Sequence, residues 1–160
     1  MAEPRWLDDE EMRAWEAFLA ATALLNRRIE QQLKDEAHLS HTQYEVLVRL
    51  ARATDNELRM TELSAALFTS KSGLTYQIDQ LVKAGFVRRS PSPDDPRGIV
   101  ATITPTGLRK LEAAAPGHVT LVREVLIDVL TPEQLTAIAD GLGEVADRLR
   151  TPSRLPPTPL

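Results

Sequence analysis

Apolar residues recur at intervals of three and four positions along most of the chain, and this spacing places them on one face of a helix. The first stripe predicts a long amphipathic helix from about Leu7 to Lys34. Each of five further stripes follows a hydroxyl side chain that can cap the free amides of a helical first turn. These predicted caps are Ser40, Thr61, Ser70, Thr104 and Thr131. The pattern predicts six helices, and the fifth is expected to be interrupted at Pro116–Gly117, because proline removes a backbone hydrogen bond.

One part of the chain alternates with a period of two instead. Phe86–Arg89 and Ile99–Ile103 predict two short strands. Residues 90–98 between them contain three prolines, two aspartates and a glycine, which predicts an exposed hairpin loop. The expected fold is therefore mainly α with a small β-hairpin wing, built from six helices and two to three strands.

The order of these elements is typical of a winged helix-turn-helix joined to a further helical region. Two short helices meet at the tight break Phe68–Ser70, and the hairpin follows them. In such a motif the second helix enters the DNA major groove with its N-terminal residues at the base edges. The predicted major-groove residues are Ser70, Lys71, Ser72, Gly73, Thr75 and Tyr76. Arg97 at the hairpin tip is the predicted minor-groove residue, and Asp95 is expected to orient its guanidinium or the loop backbone.

Hydroxyl and basic side chains around this motif are candidates for phosphate contacts. Thr61, Arg88 and Arg89 are assigned to this role because they fall in the same motif as the other basic residues. Tyr76 has an alternative place in the core, although neighbouring leucine and isoleucine residues already define the buried face of its helix. Asp79, farther along that helix, is expected to pack locally or to form an ion pair.

Four segments carry a resemblance to a known family. They are Leu58–Leu63, Ser70–Thr75, Leu81–Arg89 and Asp94–Gly98. Through them the chain resembles the MarR family of bacterial transcriptional regulators over nearly its full length. The resemblance implies a homodimer joined by the first, fifth and sixth helices, with two winged-helix lobes on a pseudopalindromic double-stranded DNA site. It also implies a pocket in which phenolic or other small aromatic ligands bind and weaken the DNA complex.

Charge is distributed unevenly over the parts that this resemblance implies. Residues 1–37 and 105–150 would form the dimerisation helices, and residues 38–104 the DNA-binding lobe. The proline-rich residues 151–160 are expected to be a disordered tail. The whole chain has a net charge of −4, which on its own argues against a polyanionic partner. Residues 56–109, however, carry seven basic and five acidic side chains, so the basic excess falls on the predicted winged helix.

Four aromatic side chains could line the implied ligand pocket: Trp15, His41, Tyr44 and His118. Aromatic residues at helical spacing are more often part of a core or a dimer interface, and both interpretations stay open. The short spacing of His38 and His41 also suggests a metal site. We expect neither a metal nor a cofactor, because His41 falls in the first turn after a cap and no helix connects the two residues.

Composition excludes several other classes of function. The chain contains no cysteine, so disulfides, thiolate metal sites and oxidant sensing through a thiol are ruled out. No apolar run approaches the roughly 18 residues that span a bilayer, so no membrane partner is expected. The acidic N-terminal residues do not resemble a signal peptide, and we expect a cytoplasmic location. No hydrolase, metalloprotease, P-loop or dinucleotide-binding motif is present, so the sequence does not predict an enzyme.

The sequence thus predicts a DNA-binding transcriptional regulator, in first place a homodimeric repressor released by a small aromatic ligand. Two alternatives stay open. The winged helix could bind a protein partner instead of DNA, or the protein could be an architectural DNA binder that responds to no ligand. Phosphate contacts make affinity fall steeply with salt, which separates the DNA-binding hypotheses from the protein-binding one.

Overall fold

The computed structural model describes residues 4–150, which form two compact units, one ending at Leu121 and the other beginning at Val122. The first unit contains α1 (Asp9–Ala37), α2 (His41–Arg52), a 3₁₀ turn (Thr54–Asn56), β1 (Glu57–Arg59), α3 (Met60–Ala66), α4 (Lys71–Lys83), β2 (Val87–Pro91), β3 (Ile99–Ile103) and nearly all of α5 (Pro105–Val122). The second contains one turn of π-helix (Arg123–Ile127) and α6 (Pro132–Arg150). Within the described residues, six α-helices and a three-stranded sheet confirm the predicted fold class. The predicted disordered tail, residues 151–160, lies outside them.

Side-chain caps fix where several helices begin. The carboxylate of Asp8 accepts hydrogen bonds from the first-turn amides of α1, which therefore begins at Asp9, two residues later than predicted, and it ends at Ala37. The predicted cap of α2 is confirmed, because the Gln43 amide donates to the Ser40 hydroxyl at 3.1 Å and the Gln43 side chain accepts from the Ser40 amide at 3.0 Å. An equivalent reciprocal pair opens α6 at Thr131. These reciprocal bonds satisfy amides that no helical carbonyl can reach.

The predicted cap at Thr61 is wrong. The N-cap of α3 is Arg59, two residues earlier, and the helix begins at Met60; the Arg59 amide donates to the Glu62 carboxylate at 3.0 Å. Thr61 therefore lies inside the first helical turn. The reason is the short strand β1, which pairs with β3 and holds the backbone extended until Arg59.

The predicted interruption of α5 at Pro116–Gly117 is also wrong. The helix continues through Pro116 to Val122, and the helical hydrogen bonding changes only afterwards, in the π turn. A proline lacks only its own amide, so a helix can continue past it with one hydrogen bond fewer when its surroundings hold it.

The sheet has the strand order β1-β3-β2, and both pairings are antiparallel. Strand β2 begins at Val87, one residue later than predicted, because Phe86 belongs to the turn that ends α4. In that turn the Phe86 amide donates to the Leu81 carbonyl at 2.9 Å, and Gly85 has a φ of 78°. Glycine adopts this left-handed conformation without steric penalty, so Gly85 closes the helix.

The core of the first unit lies where α2 packs against α4 and β3. Helix α2 contributes Leu47 and Leu50, and α4 contributes Leu74, Ile78 and Leu81, all of them buried. Burying one such aliphatic side chain stabilises the fold by about 1.5–3 kcal/mol. Helix α4 is therefore held along one whole face, and its opposite face is available to a partner.

Helix α6 forms as predicted, but none of its residues is buried. Its predicted apolar stripe includes Leu142 and Val145, which are 42% and 51% exposed. In α1, Trp15 and Phe18 are exposed as well. No helix between residues 4 and 150 combines the length and the apolar character needed to cross a bilayer.

Candidate nucleic-acid interface

Helix α4 begins directly after a tight turn, with Ser70 as its N-cap. The amide of Gly73 donates to the Ser70 hydroxyl at 3.1 Å, which confirms the predicted cap. A Cβ atom at position 73 would lie 3.1 Å from that same hydroxyl oxygen and 3.3 Å from the Thr69 hydroxyl. The missing side chain of Gly73 thus leaves room for the cap.

The N-terminal half of α4 presents polar side chains to solvent. Lys71, Ser72, Thr75 and Tyr76 are all exposed. Tyr76 is 62% exposed, so the alternative that placed it in the core is wrong. The Thr75 hydroxyl donates to the Lys71 carbonyl at 2.8 Å and retains its acceptor capacity toward a ligand. This face therefore offers hydrogen-bonding groups of the kinds that read base edges.

The wing loop is ordered by its own aspartate. The Asp95 carboxylate accepts a hydrogen bond from the Arg97 amide at 2.9 Å, and the Asp95 carbonyl accepts one from the Gly98 amide at 2.9 Å. The Ser92 amide, in turn, donates to the Gly98 carbonyl at 2.8 Å. Of the two roles considered for Asp95, the structure shows the second, in which it orients the loop backbone. The Arg97 side chain extends from this turn into solvent.

Arg88 and Arg89 lie on β2, opposite Thr102 and Ala101 of β3. Successive side chains of a strand point to opposite faces, so these two arginines project from opposite faces of the wing sheet. Arg89 forms an ion pair with Asp79 of α4, which confirms the ion-pair alternative for Asp79. Arg88 is exposed.

A groove of about 430 Å³ lies between the start of α3, α4 and the wing. Four cationic side chains line it: Arg59, Lys71, Arg89 and Arg97. Among the other lining residues are Thr61, Thr75 and Asp95. Six of the predicted DNA-contact residues therefore meet in one groove. The cationic lining suits a phosphate or another anionic group.

Arg59 is a member of this groove that the sequence analysis did not single out. It ends β1 and lies 3.5 Å from the carboxylate of Asp94 in the wing loop. It thus links the start of α3 to the wing. Both residues fall in segments that carried the family resemblance, but only the pairing of β1 with the wing hairpin brings them together.

The predicted ligand-pocket residues are brought together in part. The His118 ring on α5 lies with its centre 4.5 Å from the Tyr44 ring and 6.3 Å from the His41 ring, both of which belong to α2. Trp15 has its ring contact with Phe18, one turn along α1, at 6.2 Å. Three of the four residues thus form one aromatic cluster, which we call the His118 cluster (His41, Tyr44 and His118).

Two buried polar atoms of this part of the molecule lack hydrogen-bond partners: Nδ1 of His118 and Oε1 of Gln32. Burial lowers the pKa of His118, the neighbouring His41 lowers it further, and Glu45 opposes the shift. Burial likewise raises the pKa of Tyr44. Across residues 4–150 no group of three or more His, Cys, Asp or Glu side chains is arranged to hold a metal ion.

A capped helix N-terminus beside an ordered wing, with a cationic groove between them, defines a winged helix-turn-helix of the DNA-binding class. Comparison with known proteins agrees. A sequence profile of the MarR family matches residues 39–99. The solved structure of AbsC, a MarR family transcriptional regulator from Streptomyces coelicolor, is 38% identical and aligns over 92% of this chain and 99% of AbsC with a TM-score of 0.87. Sco3205, a MarR family regulator from the same organism solved in complex with DNA, is 39% identical over 96% of this chain and 97% of Sco3205 with a TM-score of 0.91.

Curated relatives belong to the same class. The HTH-type transcriptional repressor YetL of Bacillus subtilis (strain 168) is 31% identical over 69% of this chain, and the match spans 66% of YetL. The regulator PecS of Dickeya dadantii (strain 3937) is 26% identical over 82% of this chain and 79% of PecS. The chain belongs to the MarR family. It is a DNA-binding transcriptional regulator of the MarR type and not an enzyme.

Proposed function

We propose that this protein binds a pseudopalindromic operator as a homodimer and represses transcription until a small aromatic ligand releases the DNA. The observation that carries the proposal is the cationic groove between α4 and the wing, beside an exposed row of hydrogen-bonding side chains. One surface of the first unit thus combines groups for phosphates with groups for base edges, as operator recognition requires.

The arrangement suggests a role for each side chain. Residues at the start of α4 lie in the major groove: Ser70, Lys71, Ser72, Gly73, Thr75 and Tyr76. Arg97 enters the minor groove, and Asp95 holds the loop that presents it. Thr61 and Arg88 contact phosphates. Arg89 contacts a phosphate less strongly than Arg88, because it already shares its charge with Asp79.

The exposed apolar side chains of α1 and α6 support the homodimer. Leu142, Val145 and Leu149 of α6 are exposed along one stripe, and Trp15 and Phe18 of α1 are exposed too. Such stripes are stable in water when a partner covers them. In the two-fold dimer the two recognition helices would lie about 34 Å apart, one turn of DNA. We therefore expect half-sites in adjacent major grooves.

The His118 cluster supports a ligand of aromatic character. Its three rings offer stacking surfaces, and the unpartnered Nδ1 of His118 can bond to a phenol or a carboxylate. The repressor name of YetL supports repression as the mode of regulation. The ligand test uses benzoate and 4-hydroxybenzoate as probes with the DNA complex. The proposal of an aromatic ligand is supported if either probe releases the DNA from the unaltered chain but not from His118→Ala. It is contradicted if no aromatic acid or phenol releases the DNA.

The test of DNA binding is a titration of genomic fragments with the full chain at several salt concentrations. We expect tight binding to a few fragments and a steeply negative slope of log affinity against log salt. A shallow slope with no preferred fragment would favour the protein-binding alternative. Tight binding without sequence preference would favour the architectural one.

A further inference from the structure

The wing loop, residues 92–98, is closed at its base. The Ser92 amide donates to the Gly98 carbonyl at 2.8 Å, and a Cβ atom on Gly98 would lie only 2.9 Å from the Ser92 Cβ. Ser92 is 7% exposed, so the loop covers it on nearly all sides. Asp95 accepts hydrogen bonds from the Arg97 and Gly98 amides as well. The loop backbone is therefore held in one shape, and a single contact can fix the direction in which the whole loop points.

Among the ion pairs found within residues 4–150, one joins the wing loop to the rest of the winged helix. It is the pair between Arg59 and Asp94, whose charged atoms lie 3.5 Å apart. The backbone of Arg59 is held on two sides, because Arg59 pairs with Val100 of β3 and its amide donates to the Glu62 carboxylate at 3.0 Å. The ion pair therefore ties the wing loop to a residue that the sheet and α3 both fix in place.

Net charge does not account for an aspartate at position 94. Its side chain is 83% exposed, on the same loop as Arg97, and a carboxylate there repels the phosphates of DNA. Arg59 supplies the opposite charge, and it lines the groove together with Arg97. An exposed ion pair of this kind contributes little to the stability of the free protein. When a duplex covers the groove and displaces water, the attraction between the two charges becomes stronger.

We propose that Arg59 is a positioning residue for DNA binding, whose ion pair with Asp94 holds the wing loop in the direction from which Arg97 enters the minor groove. A loop that is free to swing loses that freedom on binding, and a contact that restrains it beforehand lowers this entropic cost. Arg59 thus acts through Asp94, and it contacts no phosphate of its own. The inference rests on the DNA-binding mode proposed above.

The test measures affinity for a duplex that the unaltered protein selects from a random library. For Asp94→Asn we expect about fivefold weaker binding, the cost of immobilising a long side chain that is no longer restrained, and an unchanged Tm. Removal of a negative charge beside DNA would by itself strengthen binding, so the sign of the effect is decisive. Arg59→Ala should lose as much, the double variant no more than either, and Arg59→Lys, which keeps the ion pair, little. Tighter or unchanged binding by Asp94→Asn would overturn the positioning role.

The second arm repeats Arg59→Ala in an Arg97→Ala background, where no minor-groove contact is left to position. There it should weaken binding no further. A further loss, with a salt slope reduced by about one, would show that Arg59 contacts a phosphate itself; the positioning role is then overturned while the proposed function stands.

The control for the charge change is Asp55→Asn. Asp55 is exposed and lies outside the groove, and asparagine tolerates its left-handed φ of 57°. This variant should bind the duplex as tightly as the unaltered chain. If the unaltered protein selects no duplex at all, the positioning role and the proposed function are both overturned.

Discussion

The winged helix and helix α6 are both built from amphipathic segments, yet they bury their apolar faces to very different extents. In α4, Leu74 and Ile78 are fully or almost fully buried, whereas in α6 Leu142 is 42% and Leu149 is 80% exposed. Apolar burial is the dominant favourable term in folding and in association. The winged helix therefore completes its core within one chain, while α6 leaves its apolar stripe exposed, as the proposed dimer requires. Substitutions in the apolar stripe of α6 should therefore weaken the proposed dimer. Substitutions on the exposed face of α4 or in the wing should weaken DNA binding and leave the dimer intact.

The largest expected effect comes from charging the stripe of α6. In the double variant Leu142→Glu/Val145→Glu we expect dissociation to monomers, because two carboxylates cannot be desolvated in an apolar interface. Affinity for a two-half-site operator should fall about 100-fold or more, since linked binding raises affinity by about 10²–10⁴. Light scattering after size-exclusion chromatography measures the mass, and fluorescence anisotropy measures the binding.

The control for this prediction places a charge elsewhere on the same helix. Thr136 is exposed and lies off the apolar stripe. Thr136→Glu should therefore remain dimeric and bind normally. If the double variant at positions 142 and 145 stays dimeric, α6 does not form the dimer interface, and its exposed stripe does not differ in function from the surface of the winged helix.

The next largest effect is expected in the wing. Arg97→Ala should weaken operator binding by about 1–3 kcal/mol, which is roughly 5- to 150-fold, and should leave the dimer and its Tm unchanged. Arg97 is exposed, and it is the Arg97 amide, which alanine keeps, that bonds to Asp95. Arg109→Ala removes another exposed arginine, on α5 and outside the groove, and serves as the matched control. Equal affinities for the two alanine variants would show that the wing makes no specific contact.

Sequence pattern alone predicted the helices, the hairpin and most of the groove. The caps at Ser40, Ser70 and Thr131 follow from short-range hydrogen bonding, which a local sequence encodes. The start of α3 did not follow, because β1 is only three residues long and exists through its pairing with β3. Tertiary pairing there overrides the local preference for a cap at Thr61.

Arg59, the groove residue that was missed, has the same physical cause. Arg59 joins the groove because β1 carries it next to Asp94 of the wing loop, 35 positions further along the chain. Sequence pattern identifies which side chains carry chemistry, while long-range pairing decides which of them meet.

A third prediction concerns stability inside the first unit. The pKa of His118 lies below its ordinary value of 6.5, mainly because the ring is partly buried and also because His41 is close, while Glu45 opposes the shift. The unfolded chain therefore binds the proton more readily than the folded one. The free energy of unfolding should fall as the pH decreases through the ordinary value toward the lowered pKa, and should depend less on pH below it. Urea unfolding at a series of pH values measures this dependence.

The variant His118→Phe keeps an aromatic ring against Tyr44 and removes the titrating group, so the dependence on pH should become weaker. His38→Asn is the control, because His38 is exposed and asparagine tolerates its left-handed φ of 51°. An identical pH dependence in His118→Phe and in the unaltered chain would show that His118 is protonated equally easily in the folded and unfolded states.

The smallest effect is expected for the ion pair between Asp79 and Arg89, which joins α4 to the wing strand. Both side chains are more than a third exposed, so the double-mutant coupling energy in unfolding experiments should be below about 1 kcal/mol.

DNA binding gives the sharper measurement of this ion pair. Arg88→Ala should reduce the salt slope by about one, the value for a single phosphate contact, and Arg89→Ala should reduce it by less because Asp79 already neutralises part of its charge. In an Asp79→Asn background, Arg89→Ala should reduce the slope as much as Arg88→Ala does. Equal slopes for the two arginine variants with Asp79 intact would show that the ion pair opens on DNA, and that the wing strand contributes both arginines to the phosphate contacts.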